Sequence, residues 1–330
     1  PPAGAFWRYR RRSDRIGCCR SGLELSRDDG VDRQVTDQRA VDGAGVVDPP
    51  RPAVSEAVGR ALAEDLLPVG DLTASLIGTE VIGTVAVVSR QSGVVAGRCC
   101  AEETFRQVDP DLGVDWRLPD GSEVSPGSVV AAVSGRLRSI VSAERTALNF
   151  LCHLSGVATV TRRFVDAANA ANPNTRILDT RKTTPGLRSL EKAAVRAGGG
   201  TNHRGNLSEA VLIKDNHLGG VGIADAVSRA RALWPGRMVE VECDRMDQVV
   251  EATAARATVI MLDNMTPDQI ADCVRVVRSA ATDVLVEVSG RVTLETVAAY
   301  AATGADLISV GALTHSAPVL DLSFDLAPSR

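Results

Sequence analysis

The spacing of hydrophobic positions predicts a small α/β region at the start of the ordered chain. Residues 54–67 repeat apolar side chains at helical spacing, so the first element is expected to be a helix. Residues 80–140 then contain mainly short β-type runs bounded by turn residues. A further helix is predicted at about 98–108, between two of these runs.

A long helix follows, and behind it the pattern changes. Ser142 is the expected N-cap of this helix, with Glu144 in the first turn, where a negative charge is favourable. Short β-branched runs then recur at 176–180, 210–215, 238–243, 259–264, 284–290 and 307–312. Amphipathic helical stretches lie between most of them, at 221–234, 245–256, 267–281 and 293–302. Strands that alternate with helices predict parallel βα units.

Each of the six β-branched runs ends in polar or glycine residues. In chain order these are Asp179 with Arg181, Lys214, Glu242, Asp263, Ser289 with Gly290, and Gly311. Active sites of α/β barrels form where the carboxyl ends of the strands meet the following loops. The order, with cations first, then carboxylates and then a glycine-containing loop, therefore predicts one binding site at this end.

Segment 179–217 concentrates positive charge in a chain whose formal net charge is −4. Its basic side chains are Arg181, Lys182, Arg188, Lys192, Arg196, His203, Arg204, Lys214 and His217. A solvated basic surface is the usual explanation for such a run. Here the cations flank two loop-forming stretches, 183–186 and 198–200. Lys214 also ends an apolar strand, where an unpaired ammonium would be costly, so we favour a site for an anionic ligand.

Glu242 and Asp263 are the acidic counterpart of this cluster. They can neutralise Lys214 and Lys182, or they can stabilise a positive charge that develops on a substrate. At about 4 Å, a carboxylate stabilises a unit cation by roughly 4 kcal/mol at an effective dielectric of about 20. The two roles are compatible.

The turns behind the last two strands predict a phosphate site. Ser289 and Gly290 follow the fifth run, and Gly311 follows the sixth. Loops after the late strands of α/β barrels often bind phosphate through backbone N–H groups. A Ser-Gly pair alone is weak evidence, and its place behind the penultimate strand strengthens it.

Composition restricts the class of protein. Of 330 residues, 44% are hydrophobic and 24% charged, which is ordinary for a soluble globular protein. The slightly acidic balance argues against a nucleic-acid surface, and no apolar run approaches the roughly 20 residues of a membrane span. The 7 cysteines form no C-x-x-C motif, which argues against zinc or a disulfide scaffold and favours the cytoplasm. Residues 1–48 are expected to be a disordered or misassigned extension.

Read together, these segments resemble the quinolinate phosphoribosyltransferase family. The matching blocks are EDLLPVGDLT, AERTALNFLCHLSGVAT, ILDTRKTTPGLRSLEKAAVRAGGGTNHR, LIKDNH, VEVE, MLDN and VGALTHS. The resemblance implies an N-terminal α/β sandwich over 49–144 and an open, TIM-like α/β barrel over 145–314, the fold of type II phosphoribosyltransferases. Residues 315–330 would pack back on the N-terminal domain.

The family's activity would be the Mg²⁺-dependent joining of quinolinate to phosphoribosyl pyrophosphate. The products are nicotinate mononucleotide, pyrophosphate and carbon dioxide, a step of de novo NAD biosynthesis. The resemblance also implies a homodimer or a larger assembly with active sites shared between subunits. It gives no protein ligand for Mg²⁺, which would be bound mainly through phosphoribosyl pyrophosphate.

The resemblance implies a role for each candidate residue. Arg145 would contact quinolinate from a neighbouring subunit. The residues around the two pyridine carboxylates would be Arg181, His203 and Arg204. The catalytic set would be Lys182 and Lys214 near the substrate and phosphoribosyl groups, with Glu242 and Asp263 near the ribose. The 5′-phosphate would be held by Ser289, Gly290 and Gly311.

One departure from the family pattern concerns this phosphate loop. Arg291 stands where the family's Ser-Gly-Gly loop has its second glycine. If the backbone there needs a positive φ, arginine is penalised where glycine is not. Its guanidinium could instead contact phosphate directly.

Three alternative functions stay open at this point. The nearest is a related phosphoribosyltransferase that acts on nicotinate or another pyridine or pyrimidine monocarboxylate. The second is an aldolase-like barrel that uses Lys214 as a Schiff-base nucleophile. The third is a catalytically silent phosphate-binding barrel. The double set of cations favours a dicarboxylate, and the acidic pair argues against the silent barrel.

Overall fold

The computed structural model describes residues 48–281 and 283–326, and every structural statement concerns these residues. Apart from Asp48, the expected N-terminal extension lies outside them. The described chain begins with helix α1 (Arg51–Leu66), followed by a short 3-10 helix, Ala74–Leu76. The helix predicted at residues 54–67 is therefore confirmed, with a start a few residues earlier.

An antiparallel sheet organises the N-terminal region. Strands β1 (Ile82–Ser89), β3 (Gly113–Trp116), β5 (Val129–Arg136) and β12 (Leu322–Leu326) pair in the order β12-β1-β5-β3. Two shorter strands, β2 (Gly93–Val94) and β4 (Glu123–Val124), pair separately. Helix α2 (Arg98–Val108) coincides with the helix predicted there and packs against α1. Because β12 pairs with β1, a strand from near the C-terminus completes a sheet built from the first half of the chain.

The long helix α3 (Leu137–Ala171) begins earlier than predicted. Ser142 is not its N-cap: it lies inside the helix, and its hydroxyl donates a hydrogen bond of 3.1 Å to Asp71. Residues 137–141 had the composition of a strand, but they are helical because Ile140 faces the core together with Ala143 and Ala147 at helical spacing.

Helix α3 packs into two hydrophobic cores. Ala147 and Leu151 belong to the core of the N-terminal sheet. Leu154, Val157 and Phe164, further along the same helix, belong to the core of the second region. The helix thus runs through residues 144 and 145, where the sequence places the domain boundary, and that boundary stays a prediction.

The second region is an open parallel α/β barrel, which confirms the predicted fold class. Its strands are β6 (Arg176–Leu178), β7 (Val211–Ile213), β8 (Val239–Cys243), β9 (Val259–Asp263), β10 (Leu285–Ser289) and β11 (Leu307–Ser309). They pair in the order β6-β11-β10-β9-β8-β7. Within the described chain β6 and β7 do not pair with each other, so the barrel is open between them.

Helices cover the outside of these strands. They are α4 (Arg188–Ala197), the short α5 (Asp215–Leu218), α6 (Ile223–Leu233), α7 (Met246–Ala254), α8 (Pro267–Ala280), α9 (Val297–Ala301) and the short α10 (Ala312–His315). The stretch predicted as a helix at 293–302 is helical only over its second half. None of the helices in the described ranges is both long enough and apolar enough to cross a membrane.

Side chains along β8 point alternately to the hydrophobic core and to the inside of the barrel. Val239, Val241 and Cys243 belong to the hydrophobic core shared with the helices. Glu240 and Glu242 lie on the opposite face of the strand, because side chains alternate across a strand, and that face points into the barrel. The interior of the barrel therefore carries carboxylates as well as apolar side chains.

Candidate active site

Asp179 organises the loops behind β6. Its carboxylate, which is completely buried, forms an ion pair with Lys192. It also accepts hydrogen bonds from the side chain of Asn202 (2.6 Å) and from the backbone N–H of His203 (2.9 Å). Lys192 donates a second hydrogen bond to the carbonyl of His203 (2.7 Å). Two residues of the basic segment, Asp179 and Lys192, are thus committed to positioning the loop that carries His203 and Arg204.

Arg188 is also structural. Its guanidinium donates to the hydroxyl of Thr183 (3.1 Å) and to the backbone carbonyls of Arg181 (3.2 Å) and Gly205 (3.1 Å). It therefore ties the loop after β6 to the loop that precedes β7. The sequence alone offered Arg188 as part of the anion-binding cluster, and the structure uses it to hold that cluster's loops together.

Arg181 and Arg204 are different, because neither guanidinium is within ion-pair distance of a carboxylate among the described residues. The Nε of Arg181 is buried and has no hydrogen-bond partner among residues 48–281 and 283–326. Arg204 donates one hydrogen bond, to the carbonyl of Ala210 (3.0 Å). Burial first, and then the nearby positive charge of Arg181, lower the pKa of Arg204. Two partly buried cations are thus held near each other.

The ends of β7 and β8 carry an ion pair. Lys214, directly after β7, donates a hydrogen bond to the carboxylate of Glu242 near the end of β8. Both side chains are only partly buried, with exposed fractions of 37% and 18%, so each can still reach a ligand in the mouth. Glu242 therefore neutralises Lys214, which is one of the two roles that the sequence predicts for it.

Asp263, the second acid, does not pair with Lys182. Its Oδ2 accepts a hydrogen bond of 2.6 Å from the side chain of Asn264, and the other oxygen has no donor in the part of the chain that the structure describes. Lys182 instead extends past the end of β11, where a Cβ added to Gly311 would lie 3.2 Å from its Cδ. Glycine at 311 thus leaves room for the lysine, and the ends of β6 and β11 meet.

The loop behind β10 has positive φ angles at two consecutive residues, which is the case in which arginine at position 291 is penalised. Gly290 has φ +94°, and Arg291 has φ +44°. A Cβ at Gly290 would lie 2.3 Å from Oδ1 of Asn264, so only glycine fits there. Ser289 is level with Asp263 in the β9–β10 register and accepts a hydrogen bond from the N–H of Asn264 (3.0 Å). The candidate phosphate loop and the second acid are therefore neighbours.

His203 lies over two carboxylates inside the barrel. Its Nε2 is 3.0 Å from Glu240 and 3.6 Å from Glu287, whose side chains are 0% and 1% exposed. Ser309 donates a hydrogen bond to Glu287 from the neighbouring strand. Burial and then the charge of Glu240 raise the pKa of Glu287 to about 8. Burial disfavours the charged imidazole, but the hydrogen bond to Glu240 and the two acidic charges outweigh it, so the pKa of His203 is raised.

Arg145 lines a cleft beside the loop that follows β6, since Leu187 of that loop lines it too. It is exposed on α3 and lines a cleft of about 220 Å³ together with Glu64, Asp65 and His153. No other predicted site residue lines this cleft. Most of the remaining candidates lie at the carboxyl ends of the barrel strands or in the loops that follow: Arg181, Lys182, Lys214, Glu242, Asp263, Ser289, Gly290 and Gly311. His203 and Arg204 lie in the segment between α4 and β7, and His203 contacts Glu240 and Glu287 of the barrel strands.

Two family models match the chain in succession. "Quinolinate phosphoribosyl transferase, N-terminal domain" matches residues 71–155, and "Quinolinate phosphoribosyl transferase, C-terminal domain" matches residues 157–325. The chain belongs to the quinolinate phosphoribosyltransferase family. The resemblance read from the sequence blocks is therefore confirmed.

Members of the quinolinate phosphoribosyltransferase family align with the chain over most of their length. Nicotinate-nucleotide pyrophosphorylase (carboxylating) from Mycobacterium leprae (strain TN) is 42% identical over 283 residues, 83% of this chain and 97% of that protein. Quinolinate phosphoribosyltransferase (decarboxylating) 1 from Nicotiana glauca is 39% identical over 314 residues, 88% of each. The solved nicotinate-nucleotide pyrophosphorylase of Francisella tularensis has a TM-score of 0.80 and 39% identity, over 86% of this chain and 99% of that one.

Sequence reasoning missed the buried carboxylates of this family member. Glu240 precedes Glu242 by two residues, and Glu287 precedes Ser289 by two, so each lies on the same strand face as a residue already placed at the mouth. That period of two was the available signal. Their pairing with His203 was not readable, because it joins residues 37 and 84 positions apart in the chain.

Proposed function

We propose that this chain is a quinolinate phosphoribosyltransferase (decarboxylating), a pentosyltransferase of de novo NAD biosynthesis. It joins quinolinate to phosphoribosyl pyrophosphate and releases pyrophosphate and carbon dioxide, and the product is nicotinate mononucleotide. Family membership and the activities in the names of its relatives support the reaction. The charges at the mouth of the barrel support the substrate class.

The observation that carries the proposal is the pair of guanidinium groups of Arg181 and Arg204. They lie close enough for the charge of one to act on the other, and no carboxylate of the described chain pairs with either. Buried cations are stabilised by hydrogen-bonded anions, and guanidinium groups bind carboxylates through two parallel N–H bonds. A pyridine with adjacent carboxylates supplies two such anions, and each charge-assisted hydrogen bond contributes about 1.5–3 kcal/mol.

The acids at the mouth then act on the ribose. As the bond from C1′ to pyrophosphate breaks, positive charge develops on the sugar, and Glu242 and Asp263 stabilise it. The pyridine nitrogen forms the new bond to C1′ and becomes cationic. When the bond between C2 and its carboxylate breaks, carbon dioxide leaves and the electron pair stays at C2, stabilised by the adjacent cationic nitrogen. C2 then takes up a proton from solvent, which gives the nicotinate ring of the product. Lys182 and Lys214 hold the anionic groups of the two substrates in place.

The carboxylate oxygens at the mouth are hard donors, the type of ligand that Mg²⁺ prefers. Of the two mouth acids, Asp263 is the better candidate, because Glu242 is already paired with Lys214 and one oxygen of Asp263 has no donor in the described ranges. Mg²⁺ prefers one or two carboxylates plus substrate phosphate oxygens. When bound it neutralises the pyrophosphate that leaves.

A homodimer with shared sites is part of the proposal. Arg145 would reach the partner's quinolinate from the outside, since it is exposed on α3 and lines an open cleft. Four apolar side chains of one short segment are largely exposed and would be covered by a second subunit; they are Leu67, Val69, Leu72 and Leu76, with exposed fractions of 71%, 75%, 70% and 85%. The free cysteines fit the cytoplasm, which we propose as the location.

The decisive experiment is an assay for nicotinate mononucleotide and carbon dioxide from quinolinate and phosphoribosyl pyrophosphate, with and without Mg²⁺. We expect turnover that requires Mg²⁺, and Arg181→Ala and Arg204→Ala should each lose most of it. Arg229→Ala, an exposed arginine on α6, is the matched control and should keep it. A wild-type protein that makes the mononucleotide from nicotinate and not from quinolinate would establish the monocarboxylate alternative.

The structure disfavours the aldolase-like alternative. A Schiff-base lysine needs an apolar setting that keeps its amine neutral. Lys214 is instead paired with the carboxylate of Glu242 and its side chain is 37% exposed, which is not an apolar setting. Borohydride trapping with carbonyl substrates should therefore leave Lys214 unmodified.

A further inference from the structure

The carboxylates of Glu240 and Glu287 lie inside the barrel with no function assigned to them so far. Together with a ring nitrogen of His203 they form a cluster whose oxygen and nitrogen atoms all lie within 4.8 Å of one another. Removing a carboxylate from water is costly, and apolar residues of similar volume would usually pack there at least as well. Two glutamates on β8 and β10 at this depth therefore need a role beyond packing.

Both glutamates contact the same ring nitrogen of His203, so any role they have acts through that side of the imidazole. Nε2 of His203 faces the oxygens of both glutamates, and an ionised carboxylate can only accept, so we assign a hydrogen to this nitrogen. Ser309 donates to Glu287 from the far side and orients its carboxyl group. The opposite ring nitrogen, Nδ1, has no protein partner among the described residues. The loop that carries His203 is fixed separately, by Asp179 and Lys192.

We infer that Glu240 and Glu287 are positioning residues that act through His203, holding it as an imidazolium whose Nδ1–H is presented to a carboxylate of the substrate. The inference rests on the proposed function only for the identity of that carboxylate. Arg204 follows His203 directly in the chain, and the charges of both Glu240 and Arg181 act on its guanidinium. The imidazole and the two guanidinium groups that have no carboxylate partner therefore belong to one anion-binding surface.

The role of Glu240 and Glu287 in charging His203 explains why two acids lie inside the barrel below a site for anionic substrates. Nearby positive charge, including that of Lys192, disfavours the protonated imidazole of His203. Glu240 compensates this repulsion from below, where it cannot compete with the substrate for hydrogen bonds because it is completely buried. Nε2 of His203 contacts both glutamates, and Ser309 donates a hydrogen bond to Glu287, so two neighbours orient the ring.

The first test observes the imidazole directly and needs no turnover. The full chain, labelled with ¹⁵N-histidine, is studied near pH 7.5 by long-range ¹H–¹⁵N correlation. His203 is assigned among the four histidines as the signal missing from His203→Asn. We expect both ring nitrogens of His203 to be protonated in the wild type, and the ring of Glu240→Leu to be neutral. A neutral wild-type ring, or an unchanged ring in Glu240→Leu, would overturn the inference whether or not quinolinate is the substrate.

The second test is a double-mutant cycle in steady-state kinetics. Glu240→Gln and His203→Asn should each raise KM for quinolinate by roughly tenfold, while KM for phosphoribosyl pyrophosphate changes by less than about twofold. The double variant should be no worse than His203→Asn alone, because Glu240 acts only through His203. Glu240→Gln keeps the shape of the side chain, so it serves if Glu240→Leu does not fold. Losses that add up would show that Glu240 contributes independently and would refute the inference.

Asp306→Asn is the matched control. Asp306 is a carboxylate of the same barrel at the opposite end of the strands, where it accepts hydrogen bonds from Arg278 (2.5 Å) and from the N–H of Val286 (2.7 Å). Its loss should lower stability without changing the His203 signals or either KM. If Asp306→Asn changed KM for quinolinate as much as Glu240→Gln does, the effect of Glu240 would be general to the barrel and the inference would fail.

Discussion

Lys214 and Glu242 form an ion pair across the mouth of the barrel, from the ends of two neighbouring strands. The pair joins a cation that would bind substrate anions to an acid that would face the developing charge on the ribose. Each residue therefore keeps the other in position before substrate arrives. Because both are partly exposed, the pair contributes little to the free energy of unfolding.

Glu242→Gln should lower kcat by roughly a hundredfold and leave KM for both substrates within about threefold, because the carboxylate acts on a charge that exists only in the transition state. Steady-state kinetics with both substrates measure this. Glu251→Gln, on helix α7, is the control and should behave as the wild type. A change confined to KM would show that Glu242 does no more than neutralise Lys214.

The stability of the fold should fall as the pH rises from 5.5 to 8, with Glu287 as one cause. The pKa of this buried carboxyl is raised to about 8 from an ordinary value of 4.5. The unfolded chain therefore releases this proton at a lower pH than the folded chain does, and stability is lost progressively between those values. The raised pKa of His203 acts in the same direction.

Glu287→Gln should reduce the difference in Tm between pH 5.5 and pH 8, as measured by thermal unfolding in matched buffers. Glu103→Gln is the control. Arg106 holds the pKa of Glu103 down at about 2, so the stability it contributes is lost only below pH 4.5. That variant should lower Tm equally at both pH values. A wild-type pH dependence in Glu287→Gln would show that Glu287 ionises normally.

Arg291→Gly should raise stability and weaken phosphate binding at the same time. A non-glycine residue in the left-handed region costs about 1–2 kcal/mol, and glycine recovers part of this. If the guanidinium contacts the 5′-phosphate, KM for phosphoribosyl pyrophosphate should rise severalfold. Arg256→Gly is a matched control, because Arg256 has φ 55° on the exposed surface between α7 and β9. It should gain stability with no change in KM; an equal KM in Arg291→Gly would exclude the phosphate contact.

Gly156→Ala should destabilise the protein even though alanine is the better helix former. Gly156 lies inside α3, and an added Cβ would lie 2.1 Å from the carbonyl oxygen of Pro318. Overpacking of this kind typically costs about 1–3 kcal/mol. In Gly59→Ala, on α1, the nearest atom would be 3.5 Å away, so that variant should be stabilised by up to about 1 kcal/mol. Chemical denaturation measures both; equal effects would mean that the segment around Pro318 does not pack tightly on α3.

The spacing of hydrophobic residues and the residue types at the strand ends predicted much of the fold and of the site. The six barrel strands and the helix at 98–108 have strong local patterns, and the charges at the strand ends lie where parallel topology brings them together. The predicted start of α3, at Ser142, was wrong because Ile140 and its neighbours have the composition of a strand. Their helical conformation depends on contact with the core of the N-terminal sheet, which the local sequence does not show. The roles of Arg188 and Lys192 were not predictable, since nothing in a run of charges shows which of them bind backbone carbonyls and which remain for a ligand.

The chain contains only three lysines, Lys182, Lys192 and Lys214, and all three lie in or behind the mouth of the barrel. Every other basic side chain except the histidines is arginine. An amine-directed reagent would therefore label almost nothing but this site, apart from the amino terminus, and bound substrates should protect Lys182 and Lys214 while the buried Lys192 reacts only on unfolding. Attachment to a surface through lysine would for the same reason be expected to block the enzyme.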